Sequence, residues 1–227
     1  MFVCPWGRPC HWKLVPGGVY ETNEKRVTGD DTCSDDRIEL AARKMQALIR
    51  GRQARRTHLP LVRSGMIWGP PVWMKPKAIF DMLSLARVMP HHVLFDLGCG
   101  EGDVLISALR DFNIKRVVGL EIDALRVKIA RRKLKDKGFC EPRAAIIKEN
   151  AFNVRKAHIH EADIVTCFMS PDAHERLLPA LKQECRRGAK ILFYVFPGGS
   201  EKDATKVVQT VHHMHTKGHS KIYLYEL

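Results

Sequence analysis

The sequence predicts an α/β fold, a Rossmann-like, doubly wound and mostly parallel seven-stranded sheet that ends in an antiparallel C-terminal hairpin. From residue 76 onward, apolar helical patterns alternate with short runs rich in β-branched and aromatic residues. Such alternation is typical of parallel strands connected by helices that cover both faces of the sheet. The last two strand patterns are separated by a short glycine-containing turn, which joins antiparallel neighbours.

Two segments precede the alternating region. Residues 1–34 mix Cys, Pro, Gly and Trp without a period of 2 or 3.6, which predicts an irregular N-terminal arm. Ser34, followed by Asp35 and Asp36, is typical of a helix N-cap with acids in the first turn. A basic helix over 35–57, with one narrow apolar stripe, is therefore predicted next.

The main domain is predicted over 65–227, and its elements follow in order. Helical patterns occupy 77–88, 102–112, 123–137 and 172–185. Strand patterns occupy 93–97, 116–121, 144–148, 162–169, 190–195, 205–214 and 221–226. The turn of the terminal hairpin falls at Lys217-Gly218-His219.

Composition excludes several classes of protein. With 227 residues, 45% of them hydrophobic and 28% charged, the chain suits one main globular domain and excludes disorder of the whole chain. No run approaches the roughly 18 apolar residues of a membrane span. Seven cysteines, without a C-x-x-C pair or a zinc-like spacing with His, indicate a reducing compartment and predict no metal site. We expect an intracellular protein, cytoplasmic or cytoskeletal, with mitochondrial import left open.

The positive charge is concentrated in one segment. The formal net charge is +13, and residues 41–63 hold seven basic side chains and no acidic one. Such an excess favours an acidic partner, whether nucleic acid, an anionic surface or an acidic protein.

The strongest chemical signal is the run D-L-G-C-G-E-G, from Asp96 to Gly102, between the first strand of the main domain and the next helix. Its glycines let the backbone approach a ligand, and the helix N-terminus offers free N–H groups. The dinucleotide fingerprint needs a glycine where Asp103 stands. A carboxylate at Asp96 would also repel a pyrophosphate while favouring a cationic ligand. The pattern therefore predicts S-adenosyl-L-methionine, which carries an ammonium and a sulfonium, rather than NAD.

Two further turns complete the predicted cofactor site. Glu121 ends the second strand, from which an acid can accept hydrogen bonds from ribose hydroxyls. The turn after the third strand could receive the adenine ring. An alternative interpretation of the glycine run is a tight turn whose glycines serve packing alone, but it does not account for Asp96 and Glu121. The predicted cofactor-binding residues are Asp96, Gly98, Cys99, Gly100, Gly102, Glu121, Ile122, Asn150 and Ala151.

Three other runs narrow the class further. They are the lead-in G-P-P-V-W-M over 69–74, V-T-C-F-M over 165–169 and the terminal I-Y-L-Y over 222–225. With the glycine motif, residues 66–227 resemble the class I, seven-β-strand S-adenosylmethionine-dependent methyltransferases, and most of all their archaeal-type and mitochondrial protein-lysine methyltransferases. The resemblance implies methyl transfer to a macromolecule, with a protein lysine favoured. The chain departs from that family at Trp73 and Met74, which stand where the family has Pro and Thr near the methionine part of the cofactor.

The segment after the fourth strand narrows the choice of methyl acceptor. Phe168-Met169-Ser170-Pro171 lacks the Asn/Asp-Pro-Pro-aromatic pattern that holds a planar amide or adenine nitrogen, so those acceptors are disfavoured. An apolar channel would lower the cost of deprotonating a lysine. Methyl transfer depends mainly on positioning, and no catalytic residue is predicted. The predicted channel residues are Trp73, Met74, Phe168, Met169 and Ser170. The alternatives are an RNA methyltransferase acting on RNA or a ribonucleoprotein, and a catalytically weak structural component of a large complex.

The basic helix carries a second motif. M-Q-A-L-I-R-G-R-Q-A-R over 45–55 resembles the IQ motif bound by calmodulin and related proteins. The resemblance implies a calmodulin-like partner at 35–57 that receives the apolar stripe in a groove and faces the arginines with acidic groups. The alternative is a basic extension that packs on its own domain or on nucleic acid. The predicted partner residues are Met45, Gln46, Ile49, Arg50, Gly51 and Arg55.

Overall fold

The computed structural model describes residues 13–15, 19–21, 72–211 and 219–227. The helix predicted over 35–57, with its IQ-like residues, therefore lies outside the described residues, as does most of the turn predicted for the terminal hairpin. No helix among the described residues combines the length and the apolar character needed to cross a membrane.

The chain divides into two compact units, Met1–Gly51 and Arg52–Leu227. In the first unit, strand β1 (Lys13–Val15) pairs antiparallel with strand β2 (Val19–Glu21). These six residues are extended where the sequence predicts an irregular arm. Strands of three residues are too short for an alternation of polar and apolar side chains to show.

The second unit contains a mixed sheet with helices on both faces. Its described strands are β3 (Val93–Leu97), β4 (Arg116–Glu121), β5 (Ala144–Lys148), β6 (Ile164–Cys167), β7 (Lys190–Tyr194), β8 (Lys206–Val211) and β9 (His219–Glu226). Its described helices are α1 (Pro76–Leu85), α2 (Asp103–Asp111), α3 (Ala124–Asp136) and α4 (Pro171–Glu184).

The strand order explains where a ligand can bind. The order is β5-β4-β3-β6-β7-β9-β8. The first five strands in this order are parallel to one another, and β9 is antiparallel to its neighbours β7 and β8. The chain runs outward from β3 to β4 and β5 on one side, then returns to β6 and β7 on the other. The order therefore reverses between β3 and β6, and the carboxyl ends of these strands border a crevice of the kind that binds ligands in open α/β sheets. The predicted fold class is confirmed.

Alternation along the strands supplies two cores, one on each face of the sheet. Leu94, Val117 and Ile146 point to the face covered by α1, α2 and α3. Phe95 and Val118 point to the opposite face, which α4 covers. Because successive side chains of a strand alternate between faces, one apolar run serves both cores, and this fixes its register.

Local signals set the starts of the helices. The Asp123 side chain accepts from the backbone N–H of Leu125 at 2.8 Å and so caps α3. Ser170 caps α4 by accepting from the Ala173 N–H, and Pro171 occupies the first helical position. Strand β6 is two residues shorter at each end than the predicted strand over 162–169, because Ala162 ends a 3-10 turn before it and Ser170 caps α4 after it.

Candidate active site

A cavity of about 450 Å³ opens at the carboxyl ends of the parallel strands. It is lined by every predicted cofactor and channel residue except Gly102. Glu149, in the turn predicted to receive the adenine ring, also lines it. Further lining residues that were not predicted include Val72, Ile79, Met82, Glu101, Asp103, Asp123, Arg126, Phe152, Pro171 and Phe196.

The glycine loop is held tightly between β4 and the segment after β6. The backbone N–H groups of Gly98 and Cys99 both donate to the Leu120 carbonyl at 2.9 Å. Gly98 has a φ of 75° and Gly100 a φ of 55°, a left-handed region that favours glycine. A Cβ atom on Gly98 would lie 2.7 Å from the Met169 Cε, so the loop and this side chain are in close contact.

Gly102 has a conformational role in the same loop. It precedes α2 with a φ of 84°, and its N–H donates to the Cys99 carbonyl at 2.8 Å. A Cβ atom there would lie 3.5 Å from the Cβ of Ala130 on α3. The structure thus places Gly102 behind the cavity wall, where it allows the turn and the close packing of α2 and α3.

Asp96 is a buried acid of the site whose pKa is raised. Its side chain is 5% exposed at the end of β3, and its Oδ1 accepts from the Thr166 hydroxyl of neighbouring β6 at 2.8 Å. Burial raises the pKa of Asp96 to about 7, helped by the carboxylates of Glu121 and Asp103 and opposed by the Thr166 hydrogen bond. Within residues 72–211 and 219–227, its other oxygen accepts no hydrogen bond from the protein. A cationic group in the cavity would therefore find a carboxylate with a vacant oxygen.

Glu121 connects two loops at the end of β4. Its Oε2 accepts from the Gly100 N–H and its Oε1 from the Asp123 N–H, both at 2.9 Å. A carboxylate has about four lone-pair sites, so each oxygen can still accept a hydrogen bond from a ligand hydroxyl. Ile122 follows it on the wall, and the Asn150 side chain accepts from the Phe152 N–H at 3.0 Å in the turn after β5.

The half of the cavity next to β3, β4 and β5 is acidic, although the chain is strongly basic. Its acidic lining residues are Asp96, Glu101, Asp103, Glu121, Asp123 and Glu149. Lys133 is ion-paired with Glu101 at 2.6 Å and with Asp103 at 3.2 Å, and Arg126 also lines the cavity, so two cations offset part of this charge. Concave walls of one charge concentrate the field inside a cleft, so this half favours a cation.

The half next to β6 and β7 is apolar. Its lining segments, residues 167–171 and Phe196, contribute no charged side chain to the described wall. Trp73 is 51% exposed at the mouth and lies under the guanidinium of Arg126, with 5.6 Å from Cζ to the ring centroid. Ser170 also lines this half, but its hydroxyl is engaged in capping α4.

Three side chains of types that can coordinate a metal ion lie close together on the surface. His158, His160 and Glu161 have ligand atoms within 4.8 Å of one another and are exposed. None of the three lines the cavity, and Glu161 is ion-paired with Arg116.

Comparisons with known proteins agree with this geometry. The family model described as the ANTKMT methyltransferase domain matches residues 96–204. A protein-lysine N-methyltransferase of Saccharolobus islandicus (strain REY15A) is 36% identical over 140 residues, which cover 61% of this chain and 84% of the relative.

Solved structures give the same fold. The RNA methyltransferase from Salinibacter ruber, in complex with S-adenosyl-L-homocysteine, superposes with a TM-score of 0.60 at 29% identity and covers 68% of this chain and 93% of its own. The B. subtilis tRNA methyltransferase TrmK, at 14% identity, has a TM-score of 0.53 over 68% of this chain and 67% of its own. At that identity, TrmK supports the fold alone.

Proposed function

The chain belongs to the class I, seven-strand S-adenosylmethionine-dependent methyltransferases, and we propose that it methylates lysine side chains of a protein. The enzyme class and cofactor that the sequence predicts are thereby confirmed. The observation that carries the lysine proposal is the division of the cavity into a half rich in acidic side chains and an apolar half, formed by residues 167–171 and Phe196, without charged side chains. The curated protein-lysine methyltransferase at 36% identity supports the same acceptor.

The acidic half suits S-adenosylmethionine, which supplies a methyl group on a positively charged sulfur. We assign the ammonium to Asp96, because it is buried in the wall and one of its oxygens accepts no hydrogen bond from the described residues. Glu121 is placed to accept from the ribose hydroxyls, as in other nucleotide-binding sheets. The glycine loop brings backbone close to the ligand, and Asn150 and Ala151 border the space for the base.

The apolar half suits a neutral amine. A lysine acceptor must lose a proton, which costs about 4.6 kcal/mol at pH 7 from a pKa near 10.4. Met74, Phe168 and Met169 line the cavity with apolar surface, which disfavours the ammonium form and lowers that cost. Since no described side chain of this half can act as a base, we assign the departing proton to water at the mouth.

Catalysis then depends mainly on placement. Holding the amine in line with the methyl group can supply much of the rate enhancement without acid or base residues. The rigid walls of the cavity are suited to this: Met169 packs on the glycine loop, and Phe168 contacts Tyr194 edge to face at 4.8 Å between ring centroids. The replacement of the family's Pro and Thr by Trp73 and Met74 changes the mouth while the cavity is retained.

A labelling experiment tests the proposal. The full-length protein is incubated with S-adenosylmethionine tritiated on its methyl group and a dialysed lysate, and the product is divided for digestion with protease or ribonuclease. We expect the label to become acid-soluble with protease and to stay insoluble with ribonuclease. The opposite pattern would favour the RNA acceptor of the Salinibacter ruber relative, and no labelling by the wild type would contradict both acceptors.

A further inference from the structure

A fully buried histidine connects the two sides of the apolar half without lining the cavity. His174 lies in the first turn of α4 with no exposed surface and stacks on Phe193, with 4.3 Å between ring centroids and 9° between planes. Its Nε2 accepts from the backbone N–H of Met169 at 2.9 Å, and its Nδ1 lies 2.9 Å from the Phe196 carbonyl oxygen. Because one partner is a donor and the other an acceptor, a neutral ring with its proton on Nδ1 satisfies both.

The two partners belong to different walls. Met169 follows β6 and packs against Gly98 of the glycine loop, whereas Phe196 follows β7 and is 36% exposed at the rim. The His174 ring is the described side chain that hydrogen-bonds to both of these segments. Its position therefore links the spacing of the two walls to the placement of α4.

The segment that carries Phe196 is held in a conformation that it would not adopt freely. Val195 has a φ of 73°, which is unfavourable for a β-branched residue. Its N–H donates to the Lys221 carbonyl, and the Gly198 N–H donates to the Tyr225 hydroxyl, both at 2.9 Å. The His174 bond to the Phe196 carbonyl lies between these two contacts, so loss of that bond would leave the rim residue with less support.

We propose that His174 is a positioning residue that sets the separation of the Met169 and Phe196 walls and so the placement of the acceptor amine. The effect on the acceptor rests on the proposed function, whereas the effect on the walls does not. Burial lowers the pKa of His174 to about 4, so the ring stays neutral and keeps both hydrogen bonds at neutral pH.

Three substitutions separate the two bonds. His174→Asn keeps an amide N–H near Nδ1 for the Phe196 carbonyl, and His174→Gln keeps an acceptor near Nε2 for the Met169 N–H. His174→Phe retains a ring to stack on Phe193 and loses both bonds. The control is Leu181→Ala, two turns along the same helix, which removes a fully buried side chain away from the cavity.

The first readout needs no turnover. In protein labelled with ¹³C on the methionine methyl groups, the Met169 resonance, assigned with Met169→Leu, reports the position of that wall. We expect it to shift in His174→Asn and His174→Phe and to stay in place in His174→Gln and Leu181→Ala. An unchanged resonance in all four variants would overturn the proposal. If His174→Phe fails to fold, the Asn and Gln variants carry the test.

The second readout is initial-rate transfer of labelled methyl groups to dialysed lysate protein. We expect kcat to fall by about tenfold or more in His174→Phe, because small displacements of reacting groups slow such reactions steeply. The Kd for S-adenosylhomocysteine should stay within about twofold, and both constants should be unchanged in Leu181→Ala despite its lower Tm. Wild-type rates in His174→Phe would overturn the proposal. A wild type that labels no protein, together with the expected resonance shifts, would instead overturn the proposed function and leave the wall contact standing.

Discussion

Replacing Asp96 with Asn should stabilise the unliganded protein while weakening cofactor binding. Asn has nearly the same shape, and its carbonyl oxygen can still accept from the Thr166 hydroxyl, but it carries no charge. The pKa of Asp96 is raised from an ordinary 3.8 to about 7 by burial, so ionisation is unfavourable in the folded state. A difference of about three pH units, at 1.36 kcal/mol per unit, corresponds to about 4 kcal/mol.

The sign of this effect depends on pH. Below about pH 4, the carboxyl is neutral in both states and Asp96 carries no penalty. Between about pH 4 and pH 7, the unfolded chain loses its proton while the folded one keeps it, so stability falls as pH rises. Above pH 7, the full penalty of about 4 kcal/mol applies, and Asp96→Asn should recover up to that amount.

Ligand binding should change in the opposite direction. S-adenosylhomocysteine retains the ammonium that we assign to Asp96, and breaking a buried charged pair typically costs 2–5 kcal/mol. The lower value corresponds to a loss of affinity of about 30-fold. One substitution is therefore expected to raise stability and to remove most of the binding.

Two measurements on the full-length protein check this pair of effects. Urea unfolding at pH 5 and pH 8 gives the free energy of unfolding, and calorimetric titration at pH 8 gives the Kd for S-adenosylhomocysteine. Asp136→Asn, an exposed acid on α3, serves as the control and should change neither quantity by much. A loss of stability at pH 8 in Asp96→Asn would contradict the penalty from its buried charge, and a Kd within twofold of the wild type would contradict its role as the ammonium partner.

Three further predictions follow from the same residues and from the helix that the sequence predicts over 35–57. Affinity for S-adenosylhomocysteine should fall about tenfold from pH 8 to pH 6, because the buried carboxyl of Asp96, with a pKa of about 7, takes up a proton. Calorimetric titration across that range measures the affinity, and an affinity that does not change with pH would contradict the prediction. Gly98→Ala should lower stability by about 1–2 kcal/mol, since its φ is 75° and a Cβ would meet Met169, as urea unfolding would measure; an unchanged free energy would contradict it. A synthetic 35–57 peptide should gain helicity on binding calmodulin, and Gln46→Ala with Arg50→Ala should weaken binding more than changing Arg43 and Lys44 does. Equal losses of affinity for the two pairs in fluorescence titrations would indicate that positive charge alone accounts for the binding.

The sequence predicts the ends of strands correctly where a polar or turn residue follows the apolar run. The bounds of β3, β4 and β5 equal the predicted runs, because polar or turn residues follow each apolar stretch. The prediction for β6 ran too far because Phe168 and Met169 continue the apolar run. These two residues line the cavity and pack against the cores, and local periodicity does not distinguish that position from a place in a strand.

The site was predictable to the extent that its residues share one loop or strand end. Asp96, Gly98 and Glu121 follow from that rule. Phe196 carried a weaker signal, an aromatic residue before Pro-Gly-Gly at the end of a parallel strand. His174 carried none, because its role depends on a Met169 amide and a Phe196 carbonyl that only the folded chain brings together.

Transfer of a deuterated methyl group identifies the acceptor atom. The full-length protein is incubated with dialysed lysate protein and S-adenosylmethionine carrying a CD₃ group, and the modified peptides are sequenced by tandem mass spectrometry. We expect the CD₃ group on the side-chain nitrogen of lysine with the wild type, and a large reduction with Asp96→Asn, because the proposed ammonium partner is then lost. CD₃ groups on glutamine, arginine or histidine, or in nucleosides of the accompanying RNA, would contradict the assignment of lysine as the acceptor.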